Sequence, residues 1–301
     1  MAILGDKNES RGDAPVVAGH DQSNSWSFTP TTGWDLTRTT NPSTTSSSSS
    51  RITLETTTTP ITIDPSKSAL VIIDMQNFFL SSALGNAKGE GHAAEAALLT
   101  SAIPAATQAG IQVIHITWGI SDDELAVLPP ILDRIFGFDI DAAKPNANDR
   151  ERKMPRGIGH PMGTVTLADG AQVDAGRLLM RDQWNTELSD ALLQDFEASQ
   201  NSTKPHVRFH KNRISGLWAG GSTPFREYLK ENGITTLLFS GVNTDQCVLG
   251  TLQDASNQGF DAVLLRDGCG TTSPGFASEA VGFNCRRIWG FVSSCGALVE
   301  G

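Results

Sequence analysis

The segment that most constrains the fold of this chain is residues 237–251, LLFSGVNTDQCVLGT. Its first three residues form a short apolar run that ends at Ser240 and Gly241, a pattern typical of a buried strand meeting a turn. Apolar residues then recur at helical spacing as far as Gly259, which predicts a helix directly after the turn. Cys247 therefore falls at the start of a helix that follows a strand.

A cysteine in this position has two interpretations. Unpaired backbone N–H groups and the positive end of the helix dipole favour a thiolate at a helix start, and free amides at such a turn can hold an oxyanion. On this interpretation Cys247 is a catalytic nucleophile. The alternative is a small buried apolar residue, which is what most free cysteines are. This segment alone does not decide between the two.

Two further segments place chemically useful side chains at predicted strand ends. Residues 69–79, ALVIIDMQNFF, contain an apolar strand followed by Asp74, and open parallel sheets place ligands and catalytic groups at such ends. Residues 206–218, HVRFHKNRISGLW, place Lys211 after a short β-like run. Taken singly, the aspartate is equally typical of a turn and the lysine of a solvated surface. Together with Cys247 they supply a cation that would lower the pKa of the thiol and a carboxylate that could carry its proton.

The three ordered motifs, with DAVLLRDGCGT downstream, resemble those of the isochorismatase-like cysteine hydrolases, a superfamily that includes nicotinamidases, N-carbamoylsarcosine amidohydrolases and isochorismatases. The similarity runs from about Ile61 to the C-terminus. It implies a catalytic triad of Asp74, Lys211 and Cys247.

The resemblance also implies a backbone oxyanion hole. In the superfamily a cis peptide bond lies just before the nucleophile turn, and here it would join Val242 to Asn243. It would direct the amide of Asn243, together with that of Cys247, toward the oxyanion that develops on the substrate.

The chain departs from the superfamily pattern at positions that concern the substrate rather than the chemistry. Phe78 stands where the common motif has an acid, Ile214 where it has tyrosine and Leu217 where it has phenylalanine. Nicotinamidases carry a metal-binding Asp-x-His pattern after the second strand, whereas here the strand IQVIHIT runs into WGI, and His115 is expected to point into the sheet. The histidines have no ligand spacing and no phosphate loop follows a predicted strand, so we expect neither a metal nor a cofactor.

Four residues are candidates for contact with the substrate. Trp118 ends a predicted strand on the catalytic side and could stack on a planar amide, although ordinary packing at a sheet edge is equally compatible. Arg213 would share the face of the preceding lysine in an extended chain, and could clamp a substrate carboxylate or pair with a surface acid. Gln76 could orient the nearby aspartate by hydrogen bonding, and Trp218 is placed near the substrate. Thr244 is expected to cap the helix that carries the cysteine.

From residue 68 onward, strand and helix signals alternate. This predicts one α/β domain, a three-layer, doubly wound, mostly parallel sheet with helices on both faces. The predicted strands cover residues 68–74, 111–117, a run ending at 211, 237–241 and 261–266, and the predicted helices cover residues 92–108, 185–198, 223–232 and 275–289. A long insertion at about residues 118–181, with a hairpin around Asp169 and Gly170, is expected to form a lid and much of the substrate pocket wall.

Residues 1–60 form a Ser/Thr-rich arm ahead of the predicted hydrolase domain at residues 61–301. Its composition, with the runs STTSSSSS and TTTT, predicts partial disorder because it offers little apolar surface to bury. Trp26 and Trp34 lie within the arm, so the alternative is that this part packs on the domain or on a neighbouring subunit. Similar proteins are commonly dimers or tetramers, and we expect a homo-oligomer.

Charge and cysteine content argue against several classes of protein. The formal net charge of −10 argues against binding to nucleic acid or to an anionic membrane surface. No apolar run approaches the length of a membrane-spanning helix, and the N-terminus lacks the basic start and apolar core of a secretory signal. The 4 cysteines form no CxxC pair, and a free Cys247 fits a reducing compartment, so we expect a cytoplasmic protein.

The sequence thus predicts a cysteine-dependent hydrolase that cleaves a C–N bond of a small amide, ureido or carbamoyl compound through a thioester. Two alternatives stay open. An isochorismatase-type enzyme would split a vinyl ether with Asp74 as the acid and Cys247 as a bystander. A catalytically idle binding protein on the same fold would account for the changed residues Phe78, Ile214 and Leu217.

Overall fold

The computed structural model describes residues 14–21, 24–38, 51–136, 157–218 and 222–301. Its strands are β1 (Val16–Asp21), β2 (Asn24–Thr29), β3 (Gly33–Asp35), β4 (Ile52–Leu54), β5 (Ile61–Ile63), β6 (Ser68–Ile73), β7 (Gln112–Trp118), β8 (Thr164–Thr166), β9 (Gln172–Asp174), β10 (Val207–Lys211), β11 (Thr236–Val242), β12 (Asp261–Gly270) and β13 (Gly290–Ser293). Its helices are α1 (Asn77–Leu80), α2 (Glu90–Ala97), α3 (Ile103–Ala109), α4 (Asp122–Ala126), α5 (Pro130–Ile135), α6 (Asp190–Ser199), α7 (Pro224–Glu231), α8 (Leu249–Asn257), α9 (Gly275–Asn284) and α10 (Cys295–Glu300). Within these ranges no helix has the length and apolar character needed to cross a bilayer.

Six strands form one parallel sheet in the order β10-β7-β6-β11-β12-β13. The chain runs outward from β6 through β7 to β10, then returns to β11 on the other side of β6. Open α/β sheets bind ligands at such a reversal, outside the carboxyl ends of the strands. Helices pack on both faces of the sheet, so the predicted doubly wound α/β fold is confirmed.

The alternation of side chains along β6 separates two cores. Val71 and Ile73 belong to the core on one face, with α7, α8 and α9, while Leu70 and Ile72 belong to the core on the other, with α2, α3, α6 and α10. Every residue of β6 is buried, and each large aliphatic side chain contributes about 1.5–3 kcal/mol by leaving water. The strand that ends at Asp74 is therefore fixed in the middle of the molecule.

Part of the N-terminal arm packs on its own domain, whereas strand β1 is exposed along its whole length. Strands β1 to β5 form a second sheet in the order β1-β2-β3-β5-β4. Leu36 and Leu54 of this part are fully buried in the same core as α2 and α3. The Trp26 ring lies 6.0 Å from that of Trp34 and 5.6 Å from that of Phe291 in β13. Both tryptophans therefore contact their own domain, and residues 1–13, 22–23 and 39–50 lie outside the described residues.

Three predicted helices differ in detail from those in the structure, and the strand predicted at residues 261–266 continues to Gly270. The helix predicted from residue 185 begins only at Asp190, because the Asn185 side chain instead binds the backbone of Leu179 at 2.9 Å and of Ala175 at 2.7 Å. The helices predicted at residues 92–108 and 275–289 each contain a π-helical turn. Strands β8 and β9 confirm the hairpin of the insertion, and residues 137–156, with most of its charged patch, lie outside the described residues.

Candidate active site

The register of the central sheet brings four strand ends together. Lys211 pairs with Trp118 at the ends of β10 and β7, and the amide of Asp74 donates to the Ile116 carbonyl at 2.8 Å. On the other side of β6, Gly241 pairs with Ile73. An added Cβ at Gly241 would lie 2.1 Å from the Ile73 carbonyl oxygen, so only glycine allows β11 to approach this closely.

The ammonium group of Lys211 lies between the carboxylate and the thiol. Its Nζ is 3.0 Å from Asp74 Oδ2 and 3.4 Å from Cys247 Sγ, and it also donates to the Arg213 carbonyl at 3.1 Å. The side chains of Lys211 and Asp74 are 2% and 0% exposed. The structure thus brings together the three residues of the predicted triad, in a place from which water is almost excluded.

Asp74 adopts a backbone conformation that aspartate rarely takes. Its φ of 54° is in the left-handed region, which costs a residue other than glycine about 1–3 kcal/mol. Burial raises the pKa of the carboxyl group above its usual value, although the charge of Lys211 and hydrogen bonds from Cys247 and Lys211 oppose the shift. A carboxylate with a raised pKa is a better proton acceptor for a thiol than an ordinary aspartate.

Cys247 lies in a π-helical turn, Thr244–Val248, that leads into α8. Burial raises the pKa of its thiol to about 12; the charge of Lys211 lowers it, the charge of Asp74 raises it and the side chain of Trp118 lowers it. Burial thus favours the thiol, and it opposes the helix start and the cation, which favour the thiolate.

The backbone around Cys247 is the part of the site predicted to form an oxyanion hole. The Val242–Asn243 peptide bond is cis. The N–H of Val248 donates to the carbonyl of Asn243 at 3.2 Å, which is the first i→i+5 hydrogen bond of the π-helical turn. The amide of Cys247 lies one residue before it, among the N-terminal amides that such a turn leaves unpaired. The residue that caps this turn is Asn243 and no side chain does so, which corrects the expectation for Thr244.

For Trp118 the sequence left open stacking on the substrate and ordinary packing, and the structure shows packing. Its side chain is fully buried, the Lys211 ammonium lies 3.8 Å from the ring centroid, and the ring of Phe136 lies 4.9 Å away. A planar substrate could not stack on a ring that is already covered in this way. Trp118 is therefore a neighbour of the triad.

Gln76 also differs from expectation, because its amide does not orient Asp74. Its Oε1 accepts from the backbone N–H of Trp118 at 2.9 Å, and its Nε2 donates to the carbonyls of Trp118 at 2.9 Å and Thr186 at 2.7 Å. The side chain is completely buried and its hydrogen bonds go to backbone groups. Gln76 therefore ties the end of β6 to the end of β7 and does not contact a substrate.

Arg213 and Trp218 form a pair of their own. Strand β10 ends at Lys211, so Arg213 is not in extended chain and does not share the lysine's face as predicted. Its guanidinium lies 4.8 Å from the centroid of the Trp218 ring and donates to the Asn212 carbonyl at 2.7 Å. Trp218 lines a cleft of about 390 Å³ together with Lys211 and Asn212, whereas Asp74 and Cys247 do not line it.

No metal centre is visible among the residues that the structure describes. There, no group of three or more His, Cys, Asp or Glu side chains is arranged to hold an ion. His115 is fully buried against Phe196, with 5.6 Å between their rings, on the face of β7 opposite to Ile116 and Trp118. Burial lowers its pKa to about 3.

One neighbour of the site was not predicted. Phe136 follows α5 in the insertion and packs against Trp118, and its ring also lies 6.2 Å from that of Phe78. An aromatic residue at the end of a short helix carries no sequence signal for such a contact. The closest signal in the sequence is Phe78 itself. It stands where the superfamily motif has an acid, which predicts apolar side chains around this position.

Comparison with known proteins gives one family match. The model of the isochorismatase domain matches residues 68–283. Among characterised relatives, the ureidoacrylate amidohydrolase RutB of Caulobacter vibrioides is 27% identical over 240 residues, which cover 78% of this chain and 91% of the relative.

Two solved structures share the fold. The cysteine hydrolase from Pseudomonas syringae pv. phaseolicola 1448A has a TM-score of 0.54 at 15% identity, covering 79% of this chain and 93% of its own. The isochorismatase family protein from Desulfovibrio vulgaris has a TM-score of 0.53 at 20% identity, covering 78% of this chain and 97% of its own. At these identities the likeness concerns the fold alone.

Proposed function

The chain belongs to the isochorismatase family, and on that premise we propose that it is a cysteine-dependent hydrolase that cleaves a C–N bond of a small amide, ureido or carbamoyl compound. The observation that carries the proposal is the position of the Lys211 ammonium, 3.0 Å from Asp74 and 3.4 Å from the sulfur of Cys247. A nucleophile, a base and a cation within contact of one another are the parts that thiol-based acyl transfer requires.

In the first half-reaction the proton of the Cys247 thiol moves to Asp74; the Lys211 ammonium lies 3.4 Å from the sulfur and 3.0 Å from the carboxylate. The thiolate attacks the carbonyl carbon, and the carbonyl oxygen becomes an oxyanion held by the amides of Asn243 and Cys247. When the oxyanion collapses, the C–N bond breaks and the proton on Asp74 passes to the leaving nitrogen. Ammonia or an amine departs and a thioester remains on Cys247.

In the second half-reaction water attacks the thioester and gives a proton to Asp74. The C–S bond then breaks, the acid is released, and the sulfur takes back its proton. Lys211 stabilises both the thiolate and the ionised Asp74, so it lowers the free energy of every charged state on this path. General acid–base help of this kind contributes about 10²–10⁴-fold, and an oxyanion hole contributes a comparable factor.

The substrate class is proposed from the relatives and from burial. The relative RutB is named for its action on ureidoacrylate, which makes ureido and carbamoyl compounds the first candidates. The side chains of Asp74 and Lys211 are almost completely shielded from water, which favours a small substrate over a bulky one.

The vinyl-ether reaction is the alternative that the family name keeps open. It requires Asp74 as an acid, which the raised pKa of that carboxyl group also supports. It gives Cys247 no part, however, and leaves the contact between Lys211 and the sulfur without a use.

One experiment separates these readings. The purified protein is incubated with a panel of ureido, carbamoyl and simple carboxamide compounds and with isochorismate, and ammonia and pyruvate are measured. We expect ammonia from at least one panel compound, none from that compound with Cys247→Ala, and no pyruvate. Pyruvate formed equally by wild type and Cys247→Ala would establish the ether reaction, and neither product from any compound would favour a binding protein.

A further inference from the structure

Trp118 is enclosed on all sides within the site. Its exposed fraction is 0%, the ammonium of Lys211 lies 3.8 Å from the centroid of its ring, and Phe136 packs against it edge-on at 74°. A cation over an indole ring is attracted by the electrons of the ring face, most strongly where water is excluded. The ring therefore limits where the Lys211 ammonium can lie.

The indole N–H is the only polar group of this side chain, and the ring lies close to the sulfur of Cys247, since both contact the Lys211 ammonium, which is 3.8 Å from the ring centroid and 3.4 Å from the sulfur. Among the described residues the indole N–H has no hydrogen-bond partner of good geometry. A buried N–H without a partner is costly, so its placement needs a reason. It has one once Cys247 ionises, because a thiolate is a far stronger acceptor than a thiol.

The backbone of Trp118 is held as firmly as its side chain. Both its N–H and its carbonyl are bound by the Gln76 side chain, each at 2.9 Å. Gln76 lies two residues after Asp74, so the distance between the base and the indole is set by one short piece of chain. A buried polar side chain needs hydrogen-bond partners, and the backbone of Trp118 provides them for the fully buried Gln76 at the end of β6.

We propose that Trp118 is a positioning residue for the nucleophile: its N–H stabilises the Cys247 thiolate while its ring holds the Lys211 ammonium between the thiolate and Asp74. This inference rests on the proposed cysteine mechanism. It assigns the tryptophan to the catalytic state of the thiol and not to recognition of the substrate. No new bond to the substrate is involved.

The test uses iodoacetamide, which reports on the thiolate without requiring turnover. Trp118→Phe keeps a ring under Lys211 and removes the N–H. We expect its Cys247 alkylation rate, followed by peptide mass spectrometry from pH 6 to 9, to be about threefold to tenfold lower than wild type at every pH, because the pKa rises by about one unit while the thiolate becomes somewhat more nucleophilic. With an active amide, kcat should fall by about the same factor and KM should stay within twofold.

Two controls make the result specific. Trp34→Phe removes an indole remote from the site and should leave the alkylation profile unchanged. If Trp118→Phe does not fold, benzothienylalanine at position 118 replaces the N–H by sulfur at nearly constant volume and should reproduce the slower alkylation. An unchanged alkylation profile in the folded variant, or a raised KM with normal kcat, would overturn the proposal. Full amide hydrolysis by Cys247→Ala would refute the proposed function, and the alkylation profile would still report on Trp118.

Discussion

The ammonium nitrogen of Lys211 lies 3.0 Å from a carboxylate oxygen of Asp74, and both side chains are shielded from water. Removing two charges from water is expensive, and their attraction offsets that cost only when the pair stays intact. A pair of this kind is weak evidence for stability but strong evidence for function, because an apolar pair of the same volume would be at least as stable.

Removing only one of these charges should therefore damage both stability and activity. In Lys211→Met the buried carboxylate of Asp74 loses its cation, and we expect the free energy of unfolding in urea to fall by about 3–5 kcal/mol. Hydrolysis should fall by at least about 10²-fold. The double variant Asp74→Leu/Lys211→Met should regain most of the stability and none of the activity. A single variant as stable as wild type would show that the pair is not buried as described.

Asp261 at the start of β12 should hold the N-terminal arm to the domain. Its carboxylate accepts from Arg38 at 2.6 and 2.7 Å, from the Trp26 indole at 2.9 Å and from the Thr236 hydroxyl at 2.9 Å, and its side chain is 1% exposed. We expect Asp261→Asn to lower the free energy of unfolding by about 2–4 kcal/mol with kcat/KM within twofold.

The matched control for this prediction is Asp122→Asn. Its partner is also an arginine, Arg177 at 2.7 Å, but the side chain of Asp122 is 77% exposed. Surface pairs contribute little, so this variant should change the unfolding free energy by less than about 1 kcal/mol. Equal effects at the two positions would argue against the arm as a structural part of the domain.

Deleting residues 1–50 should weaken stability more than chemistry. The deletion removes the buried Leu36 together with Trp26, Trp34 and Arg38, and the loss should exceed roughly 4 kcal/mol. Light scattering on the full chain should give a mass of two or four subunits. A monomer with full activity at micromolar concentration would contradict the predicted homo-oligomer.

Stability should fall as the pH decreases below about 6.5 because His115 is buried in its neutral form. Burial, helped by the charges of His206 and Arg208, lowers the pKa of His115 to about 3 in the folded state. Between the ordinary value near 6.5 and that value the unfolded chain binds more protons, so acid favours unfolding. The contribution of this residue between pH 6.5 and 4.5 is about 2–3 kcal/mol.

His115→Leu measures that contribution. The variant cannot take up the proton, so its free energy of unfolding should decrease with falling pH less steeply than that of wild type. His206 and Asp195 also titrate in both proteins, and since the charge of His206 acts on His115, the difference between the two curves includes this interaction. Parallel curves for variant and wild type between pH 6.5 and 4.5 would show that His115 is not buried neutral.

The apolar runs predicted that Asp74, Lys211 and Cys247 lie near strand ends, and the carboxyl ends of parallel strands lie at one edge of a sheet. That the three side chains form one site was implied by the resemblance to the isochorismatase-like hydrolases. The strand and helix order from residue 68 follows from the same periodicity. These predictions depend on local patterns and on a topology with few alternatives.

The sequence could not predict the directions of side chains beyond the strand ends. Gln76 and Arg213 were assigned by spacing from a neighbour. The orientation of Gln76 is instead set by the backbone of Trp118, 42 residues later, and that of Arg213 by the ring of Trp218 in the loop after β10. The second sheet was missed because serine and threonine dominated the composition of the arm. Threonine, valine and tryptophan are also good strand formers, and that signal was present in residues 16–35.

In the proposed mechanism Cys247 carries the acyl group. The most direct measurement is the rate of ammonia release by wild type, Cys247→Ala and Cys247→Ser with the best amide of the panel, on samples whose thermal midpoints are shown to agree. We predict that both variants lose activity by at least about 10³-fold and that acid-quenched wild type carries an acyl adduct on the peptide containing Cys247, since no other group in the site can form the thioester. Hydrolysis by Cys247→Ala at the wild-type rate would contradict the account.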